Sequence, residues 1–192
     1  MRIYFIRHGR TGSNVGGLLD TAFPGPPLDE VGLEQAQALA AKLSHEPIEV
    51  VVSSDIIRAR QTAEPLARVL GVPLVIDPGV REIHAGRWEM RTDWEDYVRV
   101  IRSWQKDFTR SMPGGDSGYS FFSRFDRAVA ELEDYDCVAV VSHGGALKTW
   151  LAGRGGMQVP EDLALHNTDV VVVDGHMGAW TIVSWAGRDL RA

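Results

Sequence analysis

The sequence predicts an α/β fold: a three-layer sandwich with a mostly parallel central sheet, helices on both faces and a C-terminal antiparallel hairpin. Two observations carry this expectation. Short apolar runs rich in β-branched residues, at 3–6, 48–52, 72–76 and 137–141, alternate with segments of helical spacing, the signature of strands joined by helical crossovers. Two further runs, 170–173 and 180–185, flank Asp174-Gly175, which suggests a tight antiparallel turn.

Each element has its own warrant. Ile3 to Ile6 is a buried strand that ends abruptly in Arg7-His8-Gly9. Between Gly12 and Pro27 glycines and prolines accumulate without a helical period, so this reads as a long loop of the kind retained for binding. Asp29 is placed to cap the next helix, whose apolar stripe is Leu33, Ala36, Ala40 and Leu43. Ile48 to Val52 is a second strand, and Ile56 to Leu70 a helix stopped by Gly71. Val72 to Ile76 is a third strand. Trp94 to Phe108 and Tyr119 to Leu132 read as helices with aromatic faces. Cys137 to Val141 is continuously apolar and ends in Ser142-His143-Gly144-Gly145, with a helix over Ala146 to Ala152.

Length and composition set limits. At 192 residues, 44% hydrophobic and 24% charged, the whole chain 1–192 reads as one globular domain. The net charge of −6 argues against nucleic acid as a partner, because such binding rests on many Lys and Arg contacts. No stretch approaches a membrane span, the N-terminal apolar run is too short for a signal peptide, and one cysteine, Cys137, cannot form an internal disulfide. These features point to a cytoplasmic protein. A homodimer is left open.

Two strands ending in His-Gly place His8 and His143 in one crevice, since ligands of open α/β sheets bind beyond the carboxyl ends of the strands. The adjoining glycines let backbone N–H groups approach an anion, and the helix after Gly144 adds its positive end. A phosphate site is the natural expectation.

The runs Arg7-His8-Gly9-Arg10-Thr11-Gly12-Ser13-Asn14, Ser53-Ser54-Asp55 through Arg58, Gln61, Thr62 and Ala63, Arg81-Glu82 with Gly86-Arg87-Trp88-Glu89, and Val141-Ser142-His143-Gly144-Gly145 stand in this order. Together with Pro27-Leu28 and Gly32 to Ala36, they resemble the motifs of the histidine phosphatase superfamily over nearly the whole chain. That resemblance implies a phosphoric monoester hydrolase needing no metal and no cofactor, acting on a small phosphorylated metabolite. It implies His8 as nucleophile and Glu82 as general acid. Arg7, Arg58 and His143, preferably as imidazolium, would hold the phosphoryl oxygens, with Asn14 and Gly144 as secondary contacts. The alternative within the superfamily is a cofactor-dependent phosphoglycerate mutase. The short interval between Glu82 and His143 favours the phosphatase, because such mutases usually carry a longer insertion there.

Some features fit less well. Arg10 stands where the superfamily often has Glu or Gln, and Met90 where it frequently has the glycine of Trp-Glu-Gly. Gly115-Asp116-Ser117-Gly118 is superficially similar to the nucleophile run of trypsin-like proteases, but those enzymes are antiparallel barrels, usually with several disulfides. Asp116 or Ser117 is better read as a helix cap. No GxxxxGK[ST] run exists, which argues against a P-loop kinase. In the Arg- and aromatic-rich segment 87–127, Arg87, Trp88 and Tyr119 are the first candidates for a lid. His84 is a lesser candidate for the pocket wall, and His45, His166 and His176 read as surface or packing residues.

Overall fold

The computed structural model describes residues 1–154 and 164–190. Seven strands form one sheet: β1 (Arg2–Arg7), β2 (Val50–Ser53), β3 (Leu74–Ile76), β4 (Cys137–Ser142), β5 (Val170–His176), β6 (Ala179–Trp185) and β7 (Arg188–Asp189). Their spatial order is β3-β2-β4-β1-β5-β6-β7. The first four run parallel, and β5 to β7 are antiparallel. Six helices are described: α1 (Gly12–Val15), α2 (Glu30–Lys42), α3 (Ile57–Leu70), α4 (Glu95–Ser103), α5 (Gly118–Ala130) and α6 (Gly144–Arg154).

The continuously apolar strands are buried on both faces, as a parallel sheet requires. Phe5, Val138 and Val140 join Phe121, Phe125 and Trp150 of α5 and α6 in one core. Their neighbours Ile6, Ala139 and Val141 join Leu39, Ala63 and Leu66 of α2 and α3 in the other. This period-two division is invisible in a sequence where every position is apolar.

Local signals explain the element ends. The Asp29 carboxylate accepts the Gly32 N–H (2.8 Å) and caps α2. Gly71, at φ 70°, ends α3. Ser117 and Ser120 form a reciprocal capping box at the start of α5.

Four expectations are corrected. The stretch from Gly12 to Pro27 is not wholly loop, because Thr11 caps the one-turn α1, bonded to Asn14 in both directions. Leu33 is half exposed, and Leu39 takes its place in the buried stripe of α2. The hairpin turns at Met177-Gly178, while Asp174 and Gly175 pair with Thr181 and Trp180 inside the ladder. The two aromatic helices are shorter than expected, Trp104 to Phe108 lying outside α4.

Met90 adopts φ 62°, a left-handed conformation that glycine tolerates best. Its N–H donates to Leu19 O (2.8 Å) and the Leu19 N–H returns a bond to Arg91 O (2.8 Å), so this turn anchors the loop that follows α1. The side chain is 53% exposed and contributes little burial. Replacing Met90 by Gly should therefore stabilise the fold by about 1 kcal/mol, raising the thermal midpoint by about 2–4 °C. Calorimetry checks this, and a lowered midpoint would show that the methionine contacts outweigh the backbone strain.

Candidate active site

The register Arg7↔Ser142 between β1 and β4 sets the geometry. The chain leaves both strands at the same level, so the rings of His8 and His143 lie 5.1 Å apart between centroids. Both histidines are buried, His143 completely. They face a cavity of about 480 Å³ whose wall includes Arg7, Asn14, Arg58, Glu82 and Gly144. Six of the seven sequence-nominated residues thus line one space, and His143 stands beside it against His8.

His8 has a defined tautomer. Its Nδ1–H donates to Gly9 O (2.7 Å), leaving the lone pair on Nε2. That lone pair accepts a bond from Arg58 Nε–H (3.1 Å). Burial, then the positive charges of Arg58 and Arg7, push the His8 pKa well below its ordinary value, so the ring is neutral at physiological pH.

His143 departs from the expected imidazolium: burial, then the charge of Arg58, pushes its pKa well below the ordinary value, which favours the neutral ring. Its Nε2 meets Ser54 Oγ at 2.9 Å. Ser54 Oγ also accepts the Ile56 N–H (3.3 Å), and His143 Nδ1 meets no hydrogen-bond partner. Ser54 is therefore a site residue that its motif contained but whose role no pattern could reveal.

Three buried nitrogens around the histidines lack a hydrogen-bond partner, Arg7 Nε, Arg58 Nη1 and His143 Nδ1, although Arg58 Nη1 lies 3.7 Å from an Asp20 carboxylate oxygen. Arg7 is otherwise tied to Leu165 O (2.6 Å), and Arg58 Nη2 to Asp20 O (2.9 Å). Burial lowers the pKa of both arginines, from values high enough that they stay charged. Gly25, at φ 69°, closes against Arg58, where a Cβ would lie 2.6 Å from Nη1.

Glu82 is held by backbone. One carboxylate oxygen accepts N–H bonds from Ile83 (2.8 Å) and Ala146 (2.6 Å), the other from Gly145 (3.0 Å). The first turn of α6 thus serves the carboxylate, a correction to the expectation that its N–H groups would meet an anion directly. Gly145 permits this approach, since a Cβ there would lie 2.8 Å from the Glu82 carboxylate. Burial still raises the Glu82 pKa, against the opposing pull of these bonds and of Arg58.

The remaining candidates divide clearly. The Asn14 side-chain oxygen accepts from Thr11 N–H and Asn167 Nδ2–H. Asn167 Nδ2–H also donates to His8 O, and Thr168, at φ 60°, donates its N–H to Arg7 O. Asn167 and Thr168 brace the His8 strand end and belong to no run that the sequence reading singled out. Arg10 turns away to Asp29 (2.8 Å) and its backbone to Gln35. Arg87 and Tyr119 are exposed and Trp88 packs on the core; Trp94, Tyr97 and Val98 of the α4 segment line the cavity instead. Exposed His84 lies 4.0 Å from Glu89 and shares an adjoining cavity with Glu82, while His166 stands on the rim of the main one. Among the described residues no cluster of three His, Cys, Asp or Glu could hold a metal ion.

Comparison with known proteins fits this geometry. The family described as histidine phosphatase superfamily (branch 1) matches residues 3–187. The chain belongs to that superfamily. An adenosylcobalamin/alpha-ribazole phosphatase of Salmonella typhimurium is 35% identical over 163 residues, covering 79% of this chain and 78% of that protein. A PE-PGRS family protein of Mycobacterium tuberculosis is 34% identical over 211 residues; the match takes in 96% of this chain and only 36% of that longer protein. The solved structure of a mycobacterial glucosyl-3-phosphoglycerate phosphatase complexed with VO3 superposes with a TM-score of 0.81 at 29% identity, covering 96% of this chain and 98% of that one.

Because Arg58 lowers the His8 pKa, removing its charge should raise it. In Arg58→Gln the imidazole of His8, followed by NMR, should take up its proton at a higher pH than in the wild type. An unmoved titration would mean that burial and Arg7, without Arg58, keep this superfamily histidine neutral.

Proposed function

We propose that this chain is a metal-independent phosphatase that hydrolyses small phosphomonoesters through a phosphohistidine at Nε2 of His8. The observation that carries the reading is the pair of buried guanidinium donors without a hydrogen-bond partner, Arg7 Nε and Arg58 Nη1, beside a neutral imidazole. Each buried donor without a partner costs about 1–3 kcal/mol, which a phosphoryl group with several acceptor oxygens would recover.

In the first half-reaction Arg58 releases the Nε2 lone pair and turns its donors to the phosphoryl oxygens. Nε2 then attacks phosphorus in line. The Nε2–P bond forms as the ester P–O bond breaks, and Glu82, protonated, gives its proton to the departing alkoxide. In the second half the Glu82 carboxylate takes a proton from water. The water oxygen bonds to phosphorus, the Nε2–P bond breaks, and inorganic phosphate leaves with His8 neutral and Glu82 protonated again. Arg7, Arg58 and His143 hold the equatorial oxygens throughout, and Asn14 and Gly144 complete the wall. The raised Glu82 pKa keeps a proton available for the first step.

We read residues 1–192 as one catalytic domain working in the cytoplasm on a small phosphorylated metabolite. The net charge of −6 disfavours nucleic acid. Among the described residues no helix is long and apolar enough to cross a membrane.

With EDTA present, wild-type protein should hydrolyse p-nitrophenyl phosphate undiminished, while His8→Ala should lose at least about a thousandfold in kcat. Equal rates in the two proteins would reject the nucleophile. Glu82→Gln should lower kcat/KM, which reports formation of the phosphoenzyme, by about a hundredfold for an alkyl phosphate but much less for p-nitrophenyl phosphate, because nitrophenolate leaves without a proton, while hydrolysis of the phosphoenzyme slows equally for both. Interconversion of 3- and 2-phosphoglycerate faster than their hydrolysis would replace the phosphatase reading by the mutase.

A further inference from the structure

A second cavity of about 470 Å³ adjoins the phosphate site. Its wall is largely apolar and aromatic, with Trp104, Phe108 and Phe122 facing α6, and it carries two cations, Arg102 and Lys148. Val98 and Lys148 line both this groove and the cavity of His8. An ester with phosphorus held at His8 and an alcohol part too long for the first cavity can continue past Val98 and Lys148 into this groove. Among the described residues neither Arg102 nor Lys148 takes part in an ion pair, although eight other arginines do. Phe108 is 41% exposed and its ring abuts the buried Phe122 at 5.4 Å, with the Arg154 guanidinium over both rings, so Phe108 is the aromatic face this groove offers a ligand.

We propose that this groove binds the leaving group, and that the preferred substrates are phosphomonoesters whose alcohol part has an apolar or aromatic body ending in a second anionic group. Burying several apolar carbons on the aromatic wall supplies affinity, and the two unpaired cations select the distal anion. This assignment rests on the phosphatase reading.

The test compares p-nitrophenyl phosphate, n-octyl phosphate and 8-(phosphonooxy)octanoate in wild type, Ala152→Trp and Arg102→Glu. Ala152 and Arg102 line the groove but not the phosphate cavity, and both are exposed, so the variants should fold. Ala152→Trp should reduce kcat/KM for both octyl compounds at least tenfold and leave p-nitrophenyl phosphate within twofold. Arg102→Glu should penalise only the carboxylate-bearing ester, by tenfold or more. Equal effects on all three substrates, or none, would overturn the groove assignment while activity on p-nitrophenyl phosphate keeps the phosphatase reading intact. A change of oligomeric state in Ala152→Trp without a change in substrate ratios would assign the groove to a second copy of the chain and also overturn it.

An independent observation concerns Asp20. Its carboxylate lies in the phosphate cavity, 3.7 Å from Arg58 Nη1, and accepts the Ser13 hydroxyl (2.6 Å). A fixed negative charge there competes with a phosphate anion for Arg58. We infer that Asp20 weakens retention of the phosphate product by pairing with Arg58 between turnovers. Asp20→Asn preserves the Ser13 bond and removes the charge. It should tighten the inhibition constant of inorganic phosphate at least fivefold and lower KM for p-nitrophenyl phosphate without raising kcat. A structural role would loosen phosphate binding instead, so a weaker or unchanged inhibition constant, with the thermal midpoint retained, overturns the inference. Asp20→Ser gives the same readout should the asparagine variant fail to fold.

Discussion

The parallel pairing of β1 with β4 is the constraint on which the site depends. Its register brings the ends of two strands far apart in sequence to one level, and each continues directly into a histidine followed by glycine. Both strands lie between two apolar cores, so their shared end is dry as well as fixed. In that low-dielectric setting an imidazole stays neutral and every unpaired donor is strongly felt. A sheet slipped by one residue would exchange the faces of β1 and separate the two rings.

Charge placement follows from the same burial. Two buried arginines carry more donors than their protein partners use, and the surplus faces the histidines. The carboxyl group is kept separate, pinned by the backbone of Ile83 and of the first turn of α6. His8 and Glu82 are thereby driven toward opposite protonation states, His8 by desolvation beside positive charge and Glu82 by desolvation against the pull of its bonds and of Arg58. That division is what one fold needs to run acid and base chemistry together.

Much of this was legible from residues alone. The strand–helix alternation, the Asp29 cap and the Gly71 stop follow from local pattern, and the grouping of Arg7, His8, Arg58, Glu82 and Gly144 around one cavity from the resemblance of their runs to the superfamily's motifs. What escaped depends on contacts distant in sequence. The supports at Asn167 and Thr168 meet the end of β1 across about 160 positions of chain. The neutrality of His143 is a consequence of burial, and the use of the α6 N–H groups by Glu82 is a matter of packing order; neither leaves a trace in composition. The hairpin turn was misplaced because Asp174-Gly175 is a strong turn signal that the strand pairing overrides, carrying Gly175 at φ 147° inside the ladder. The cavity wall comes from Trp94, Tyr97 and Val98 because the segment's apolar stripe, and not its exposed Arg87 and Tyr119, faces inward.

In the proposed reaction phosphate passes through Nε2 of His8, the nitrogen whose lone pair is kept by the bond from Nδ1–H to Gly9 O. Rapid mixing with p-nitrophenyl phosphate, alkaline quenching and phosphorus NMR of the trapped protein tests it most directly. The account predicts one phosphohistidine substituted at Nε2, absent in His8→Ala. An adduct at Nδ1, on His143, or one stable to acid would contradict it.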